Sequence, residues 1–295
     1  MVLLAAVFSG AEEGERIVYQ KSTLYHRVFV FREGDVVTLR FRRRGRIIQS
    51  QVDLSDPRRH LLEYTTLVYC GLLYDPEPKR MLVVGMGGAV IPRHMRYDFP
   101  DLEIDIVEID ADIPKIAEEY FRFRADDKMK VHVSDGRIFV RKMLRQQAAP
   151  KYDLVILDAF TDDYIPFHLM TKEFLEEVRG ALAPTGVVVA NVIRTNQLYD
   201  AELATFLAAF GRCHVYRARR STNAMLVSWG AEGPRLTAEE ARRRAERLQQ
   251  AHGFAFDLVK IAEDGDFDPR PGRGGRVLTD DRAPVDWLRS QERGE

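Results

Sequence analysis

RMLVVGMGGAVIPRHMRYDFPDLEIDIVEID, Arg80–Asp110, is the stretch on which the reading of the fold turns. MLVVG (81–85) is a short apolar run closed by glycine, residues near 90–98 have helical spacing, and IDIVEI (104–109) is a second apolar run. Runs of four to six apolar residues without polar alternation belong to strands covered on both faces, the habit of parallel sheets. The pattern continues downstream. Val131–Val133, LVILD (154–158) and VVVANV (187–192) read as strands, with helices at Ile113–Phe121, Arg137–Gln146, Glu173–Leu182 and 200–211, and two further strands near 213–217 and 224–229. Strands alternating with helices predict an α/β fold, a Rossmann-like, doubly wound and mostly parallel sheet.

Upstream the pattern differs. Val28, Val30, Val36, Thr38, Leu39 and Phe41 alternate around the turn Arg32-Glu-Gly-Asp35, and a second turn, Arg43-Arg-Gly-Arg46, leads into Ile47 and Ile48. This period of two reads as antiparallel strands. The expected organisation is a β-rich domain over 1–58 and a larger catalytic domain over 59–295. A helix is predicted from Arg59 to Tyr74, between the Asp56-Pro57 turn and Asp75-Pro-Glu-Pro78. Thr237-Ala-Glu-Glu240 is a capping box that starts an arginine-rich helix over 237–252, a surface or subunit-contact element.

Bulk chemistry narrows the function classes. The chain has 295 residues, 45% of them hydrophobic, and a formal net charge of -1. That is an ordinary globular composition without the basic excess of a nucleic-acid binder. Arg40, Arg42, Arg43, Arg44 and Arg46 read as a solvated hairpin turn. Cys70 and Cys213 lie in apolar segments without metal or disulfide spacing, which suits a reducing compartment and a cytoplasmic protein. The opening MVLLAAVF is short and lacks a basic flank, and no later run is long enough to span a bilayer, so no membrane partner is expected.

In open α/β sheets, ligands bind beyond the carboxyl ends of the strands. Gly85-Met-Gly87-Gly88-Ala89 follows the first strand and lets a ligand approach the backbone. It is not a complete dinucleotide fingerprint, because Val90 stands where the third glycine belongs. Glu108, with Ile109 beside it, closes the second strand, where an acid can accept both hydroxyls of a ribose. Asp135-Gly136 closes the third and Asp158 the fourth. A nucleoside with a cationic end uses all three acids: Glu108 on the ribose, Asp135 on the adenine amino group, Asp158 at the reactive end. The alternative is that these acids only cap the helices that follow. Asp162 and Asp163 crowd the exit of the fourth strand. His168 reads as a loop-packing residue or a proton relay, and Asp280 and Asp281 as pocket-closing or exposed turn acids.

GMGGA, VEID (107–110), SDG (134–136) and YDLVILDAF (152–160), with YQKSTLYHRVFV and QSQVDLSDP upstream, resemble the successive motifs of the spermidine synthase family. The likeness spans nearly the whole chain. LDAFTDDYIPFHLMTKEF and VLTDDRAPVDWL resemble a bacterial spermidine synthase-like subset. The resemblance implies a polyamine aminopropyltransferase that moves the aminopropyl group of decarboxylated S-adenosylmethionine to a small-molecule amine, without a metal, as a homo-oligomer, commonly a dimer. It implies Asp158 as the catalytic acid/base, and Gly85, Gly87, Gly88, Glu108, Ile109, Asp135, Gly136 and Gln49 around the donor. Tyr64, Asp162 and Asp163 are the candidates on the acceptor side.

The chain departs from the family pattern in three places. Gly88 stands where the glycine loop normally carries an aspartate that holds the donor's ammonium. Glu63-Tyr64-Thr65 stands for Tyr-His-Glu, whose tyrosine and histidine help bind the acceptor. Asp158-Ala-Phe-Thr-Asp162 replaces a motif with its second acid one residue earlier. A loop without its carboxylate has less reason to reject intact S-adenosylmethionine. An S-adenosylmethionine-dependent methyltransferase and a non-catalytic nucleoside-binding relative therefore remain as alternatives.

Overall fold

The computed structural model describes residues 14–45, 47–146, 149–160, 165–273 and 275–281. The alternating amino-terminal segment forms a four-stranded antiparallel sheet of β1 (Arg16–Ser22), β2 (Arg27–Glu33), β3 (Val36–Arg40) and β4 (Ser50–Asp53). Gly34, with φ 55°, makes the tight turn from β2 to β3.

The second sheet comprises β5 (Arg80–Val84), β6 (Glu103–Glu108), β7 (Met129–Val133), β8 (Tyr152–Leu157), β9 (Leu182–Ile193), β10 (His214–Arg217), β11 (Asn223–Trp229) and β12 (Gly265–Asp266). Its order is β12-β10-β11-β9-β8-β5-β6-β7. The strands from β9 to β7 pair in parallel, while β11, β10 and β12 add antiparallel to the β9 edge. The chain leaves β5 towards β6 and β7, then returns to the other side of β5 at β8. The switch in strand order therefore lies between β5 and β8.

The apolar runs are explained by a core on both sides of this sheet. Met81 and Val83 of β5 belong to one buried cluster, Leu82 and Val84 to the other, and Leu154 and Ile156 of β8 alternate with Val155 and Leu157 in the same way. One face is covered by α2 (Val90–Asp98), α3 (Ile113–Tyr120), α7 (Ala238–His252) and α8 (Leu258–Glu263), the other by α4 (Gly136–Leu144), α5 (Lys172–Ala181) and α6 (Tyr199–Phe210). Val28, Val30, Val37, Leu39 and Val52 of the small sheet join the first cluster. No helix among the described residues is long and apolar enough to cross a membrane.

The structure corrects several sequence expectations. Ile47 and Ile48 lie outside β4, which begins at Ser50. The helix expected over Arg59–Tyr74 is one short α-helix, α1 (Tyr64–Leu67), continued as a 3₁₀ helix over Val68–Leu73. This segment is buried, and a Cβ on Gly71 would stand 2.9 Å from Leu154 and Val189, so packing overrides the simple helical pattern. The Pro184-Thr-Gly186 turn is a break in register inside β9. Neither α8 nor β12 was legible, both being shorter than any periodic signal.

Three histidines are held as neutral rings, His94 and His214 buried and His60 half-buried against His94. His60 lies 3.9 Å from His94 ring to ring, the His94 Nε2 pairs with the Pro57 carbonyl at 3.0 Å, and the His214 Nδ1 with the Tyr74 hydroxyl at 2.6 Å. Burial pushes their pKa values down, to about 3 for His60 and about 4 for His94 and His214, with the His94 ring adding to the effect on His60. Below pH about 6.5 the unfolded chain takes up protons that the folded one refuses, so stability declines as the pH drops towards 4. The slope reaches about 1.4 kcal/mol per pH unit for each histidine. Denaturant unfolding of the wild type and of His94→Gln between neutral pH and the acid range is expected to show a shallower slope in the variant; parallel slopes would contradict the assignment.

Candidate active site

Glycine is required where β5 ends. Gly85 has φ 98°, and a Cβ there would lie 2.4 Å from the Asp158 carbonyl oxygen. Gly87 has φ 51°, and its Cβ would meet the Ser50 Oγ at 2.4 Å. That hydroxyl also accepts the Gly88 N–H at 2.8 Å. The loop is thus held between β8 and the first residue of β4. Ala89 then caps α2 from the left-handed region at φ 56°, a conformation costing an L-residue about 1 kcal/mol.

A cavity of about 900 Å³ opens above the ends of β5, β6, β8 and β9, and the small sheet forms part of its wall. Gly85, Gly87, Glu108, Ile109, Asp135, Gly136, Asp158, Gln49 and Tyr64 all line it, together with Glu63 and His168. Gly88 does not: a Cβ at this position would run into the Phe121 ring at 2.6 Å, away from the cavity wall. Asp162 and Asp163 lie outside the described residues. Asp280 is not in the wall either. It forms a two-pronged ion pair with Arg137, at 2.7 and 2.8 Å, and Asp281 is exposed.

The acids divide by environment. Glu108 is 8% exposed, and its two oxygens accept the N–H groups of Met86 and Asp110, each at 3.0 Å. Burial pushes its pKa up, and these backbone donors oppose the shift. Asp135 caps α4, taking the Ile138 N–H at 2.9 Å on one oxygen and the His168 Nε2 at 2.6 Å on the other. His168 holds its carboxyl below the ordinary range. His168 is therefore a partner of Asp135 rather than an isolated relay.

Asp158 is the outlier. Burial raises its pKa to about 7 against the pull of a single hydrogen bond, donated by the Asn191 Nδ2 at 2.8 Å. The residue still borders the cavity, so the carboxyl combines a dry flank with an open one. Tyr64 stands near it. Its hydroxyl donates to the Gln49 carbonyl at 2.9 Å, and its own pKa is raised by burial and by the Asp158 charge. Glu63 is turned to the scaffold, accepting the N–H groups of Arg219 and Arg220 at 2.8 Å each.

The described lining carries four carboxylates, Glu63, Glu108, Asp135 and Asp158, against Arg42 at the exposed rim. Such a cavity favours cationic ligands. Among the described residues no group of three or more histidine, cysteine or acidic side chains could hold a metal ion. The reading of strand ends by their acids missed Asn191, a neutral amide inside β9 that is followed by the apolar Val192 and Ile193. It also missed Ser50, although that residue stands beside Gln49 in QSQVDLSDP, and Asn223, which arrives on an antiparallel strand.

The spermine/spermidine synthase domain is matched over residues 61–221. A polyamine aminopropyltransferase of Vibrio vulnificus (strain CMCP6) is 34% identical, covering 97% of this chain and 96% of its own length. The eEF1A lysine and N-terminal methyltransferase of Bos taurus is 32% identical over 61% of this chain, which spans 27% of that larger protein. Human methyltransferase-like protein 13, solved in complex with SAH (S-adenosylhomocysteine), superposes with a TM-score of 0.59 at 28% identity, covering 77% of this chain and 99% of that one.

Two variants test this geometry. Gly85→Ala forces a methyl against the Asp158 carbonyl and is expected to cost about 2 kcal/mol or more by thermal unfolding. Gly180→Ala, where the nearest atom is 3.4 Å away, is the control and should be neutral or mildly stabilising. Asp158→Asn should stabilise. A carboxyl whose folded pKa is raised from 3.8 to about 7 loses stability as pH rises through that window. The gain at pH 8 is expected at roughly 1–3 kcal/mol, less than the bare shift because one flank is wet. An unchanged or lower melting temperature at pH 8 would contradict it.

Proposed function

This chain belongs to the spermine/spermidine synthase family, and we propose that it transfers the aminopropyl group of decarboxylated S-adenosylmethionine to a polyamine amine, with Asp158 as acid/base. The observation that carries this reading is the Asp158 carboxyl itself: recessed, opening on an acid-lined cavity, and tuned by burial to titrate near neutrality.

The chemistry is displacement at carbon. The acceptor nitrogen attacks the aminopropyl carbon next to the sulfonium, the C–S bond breaks, and its electron pair returns to sulfur as neutral methylthioadenosine. Positive charge passes from sulfur to nitrogen, and the nitrogen must shed a proton. A carboxylate beside that nitrogen stabilises the charge where it develops and takes the proton. Glu108 suits the ribose, because each oxygen accepts one backbone N–H and keeps a lone pair for a hydroxyl. Gly85, Gly87, Ile109, Gly136 and Gln49 surround the same end, and Asp135, steadied by His168, suits the adenine amino group. Gly88 shapes the loop from behind. Tyr64 serves the acceptor side, to which Asp162 and Asp163 are assigned by their place in the chain. The boundary between the two folding units is placed after residue 58, supported by the end of β4 at Asp53. A cytoplasmic homo-oligomer is the setting this family membership favours.

Methyl transfer from S-adenosylmethionine is the second reading, favoured by the absence of a carboxylate on the glycine loop and by the likeness to the human methyltransferase. Calorimetric competition between methylthioadenosine and S-adenosylhomocysteine separates the two. Methylthioadenosine is expected to bind at least about tenfold tighter, a difference of about 1.4 kcal/mol; the reverse order replaces the first reading by the second. With decarboxylated donor and a panel of polyamines, Asp158→Asn is expected to lose about a hundredfold or more in kcat while retaining methylthioadenosine affinity. The wild-type kcat/KM should rise with pH through about 7 as Asp158 ionises.

A further inference from the structure

A second polar group reaches the site from the antiparallel edge. Asn223 opens β11 opposite Ile193 of β9, and its Nδ2 donates to the Asn191 Oδ1 at 2.9 Å. The Asn191 Nδ2 donates onward to the Asp158 Oδ1 at 2.8 Å. Behind them the Ser221 Oγ donates to the Asn223 Oδ1 at 2.9 Å. The three bonds run in one direction and end on the carboxylate, so each polarises the next.

The direction matters because a carboxamide alone does not select which end it presents. Turned over, Asn191 would set an oxygen against the Asp158 oxygen, and at 3% exposure water would not relieve the conflict. Asn223 prevents the turn, since its N–H needs the Asn191 oxygen. Ser221 fixes Asn223 in the same sense. The turn that carries Ser221 is fastened from outside by Glu63, through the N–H groups of Arg219 and Arg220, and by the Arg219 guanidinium on Asp264.

We propose that Ser221, Asn223 and Asn191 form a one-directional relay that positions the Asp158 carboxylate to take the proton of the acceptor amine, with Glu63 fastening the turn that bears it. This rests on the reading of Asp158 as acid/base. Asn191 occupies Oδ1, which leaves Oδ2 to receive the proton. The acceptor's lone pair bonds to the donor carbon as the C–S bond breaks, and the N–H bond of the nitrogen that gains the charge then breaks towards Oδ2, its electron pair staying on nitrogen. Glu63 lies where the family pattern has an aromatic acceptor contact, so that position has passed from substrate to scaffold. The other titratable or charged groups facing this cavity are Tyr64 of α1, Glu108 of β6, Asp135 with its partner His168, and His26 and Arg42 of the small sheet.

The experiment compares Asn223→Asp, Asn223→Leu and Ser221→Ala with the wild type. Protonation of Asp158 is read by difference infrared spectroscopy of the carboxyl band, with Asp158→Asn as the blank. A carboxylate at position 223 accepts from the Asn191 Nδ2 and so turns its oxygen towards Asp158. Leucine there removes the constraint without adding charge. The Asp158 midpoint is expected to rise by about one pH unit or more in both variants, and by less in Ser221→Ala. The acid limb of kcat should move with it, kcat at pH 7 should fall about fivefold or more, and KM for the nucleoside donor should change less than about threefold. A midpoint unmoved within about 0.3 unit in both position-223 variants overturns the relay. If neither folds, Ser221→Ala decides by the same criterion. If the wild type transfers nothing to any amine, the reading of the reaction falls, and the infrared titration still decides whether the relay governs Asp158.

Discussion

The geometry of the molecule hangs on one backbone contact. At the ends of two neighbouring parallel strands, Gly85 passes so close to the carbonyl of Asp158 that a methyl group has no room between them. Strand order reverses at this pair, so the chain beyond β5 turns towards β6 and the chain beyond β8 towards β9. The opening left between them is the cavity. Parallel strands lie about 4.8 Å apart, which fixes how far the groups after β5 and β6 can stand from those after β8 and β9. The groups that face one another across the cavity are therefore spaced by the sheet itself. The small sheet is tied to the same place: Ser50 holds the glycine loop, Thr23 donates to Asp110 just beyond Glu108, and Lys21 pairs with Asp112 at 2.8 Å.

The parallel core was legible because burial on both faces leaves unbroken apolar runs, and because the acids Glu108, Asp135 and Asp158 stand just where each run stops. Those three positions line one cavity, as a rule about strand ends and local sequence could foretell. What was not legible depends on neighbours far apart in the chain. Nothing near Gly88 announces that Phe121 fills the space behind it. Nothing near Asp135 announces His168. Asn191 sits inside the apolar run of β9, where no rule about strand ends reaches it, and its direction is set by Asn223 across an antiparallel pairing that the sequence does not number. The second half of the expected helix before β5 tightens into a 3₁₀ helix where Gly71 packs on Leu154 and Val189, a constraint from strands far along the chain.

Several features at this site run against stability. Glu108 and Asp158 are carboxyls with burial raising their pKa, and Ala89 holds a left-handed backbone. Such costs concentrate where a fold has been shaped for something other than its own stability. Here they are carried by a sheet sealed on both sides and by two clusters that share alternate residues of the same strands.

The carboxylates around the cavity also bear on traffic. A protein of net charge -1 whose cavity is lined by four carboxylates draws polycations in faster than diffusion of uncharged molecules would allow, and added salt weakens that pull. The same field acts on departure. An amine that has gained an aminopropyl group leaves with one more basic nitrogen than it brought, so the wall that hastens arrival holds the product longer than the substrate. The asparagines and serine beside Asp158 do not add to this asymmetry: they support the carboxylate through neutral hydrogen bonds and bring no further charge to the exit.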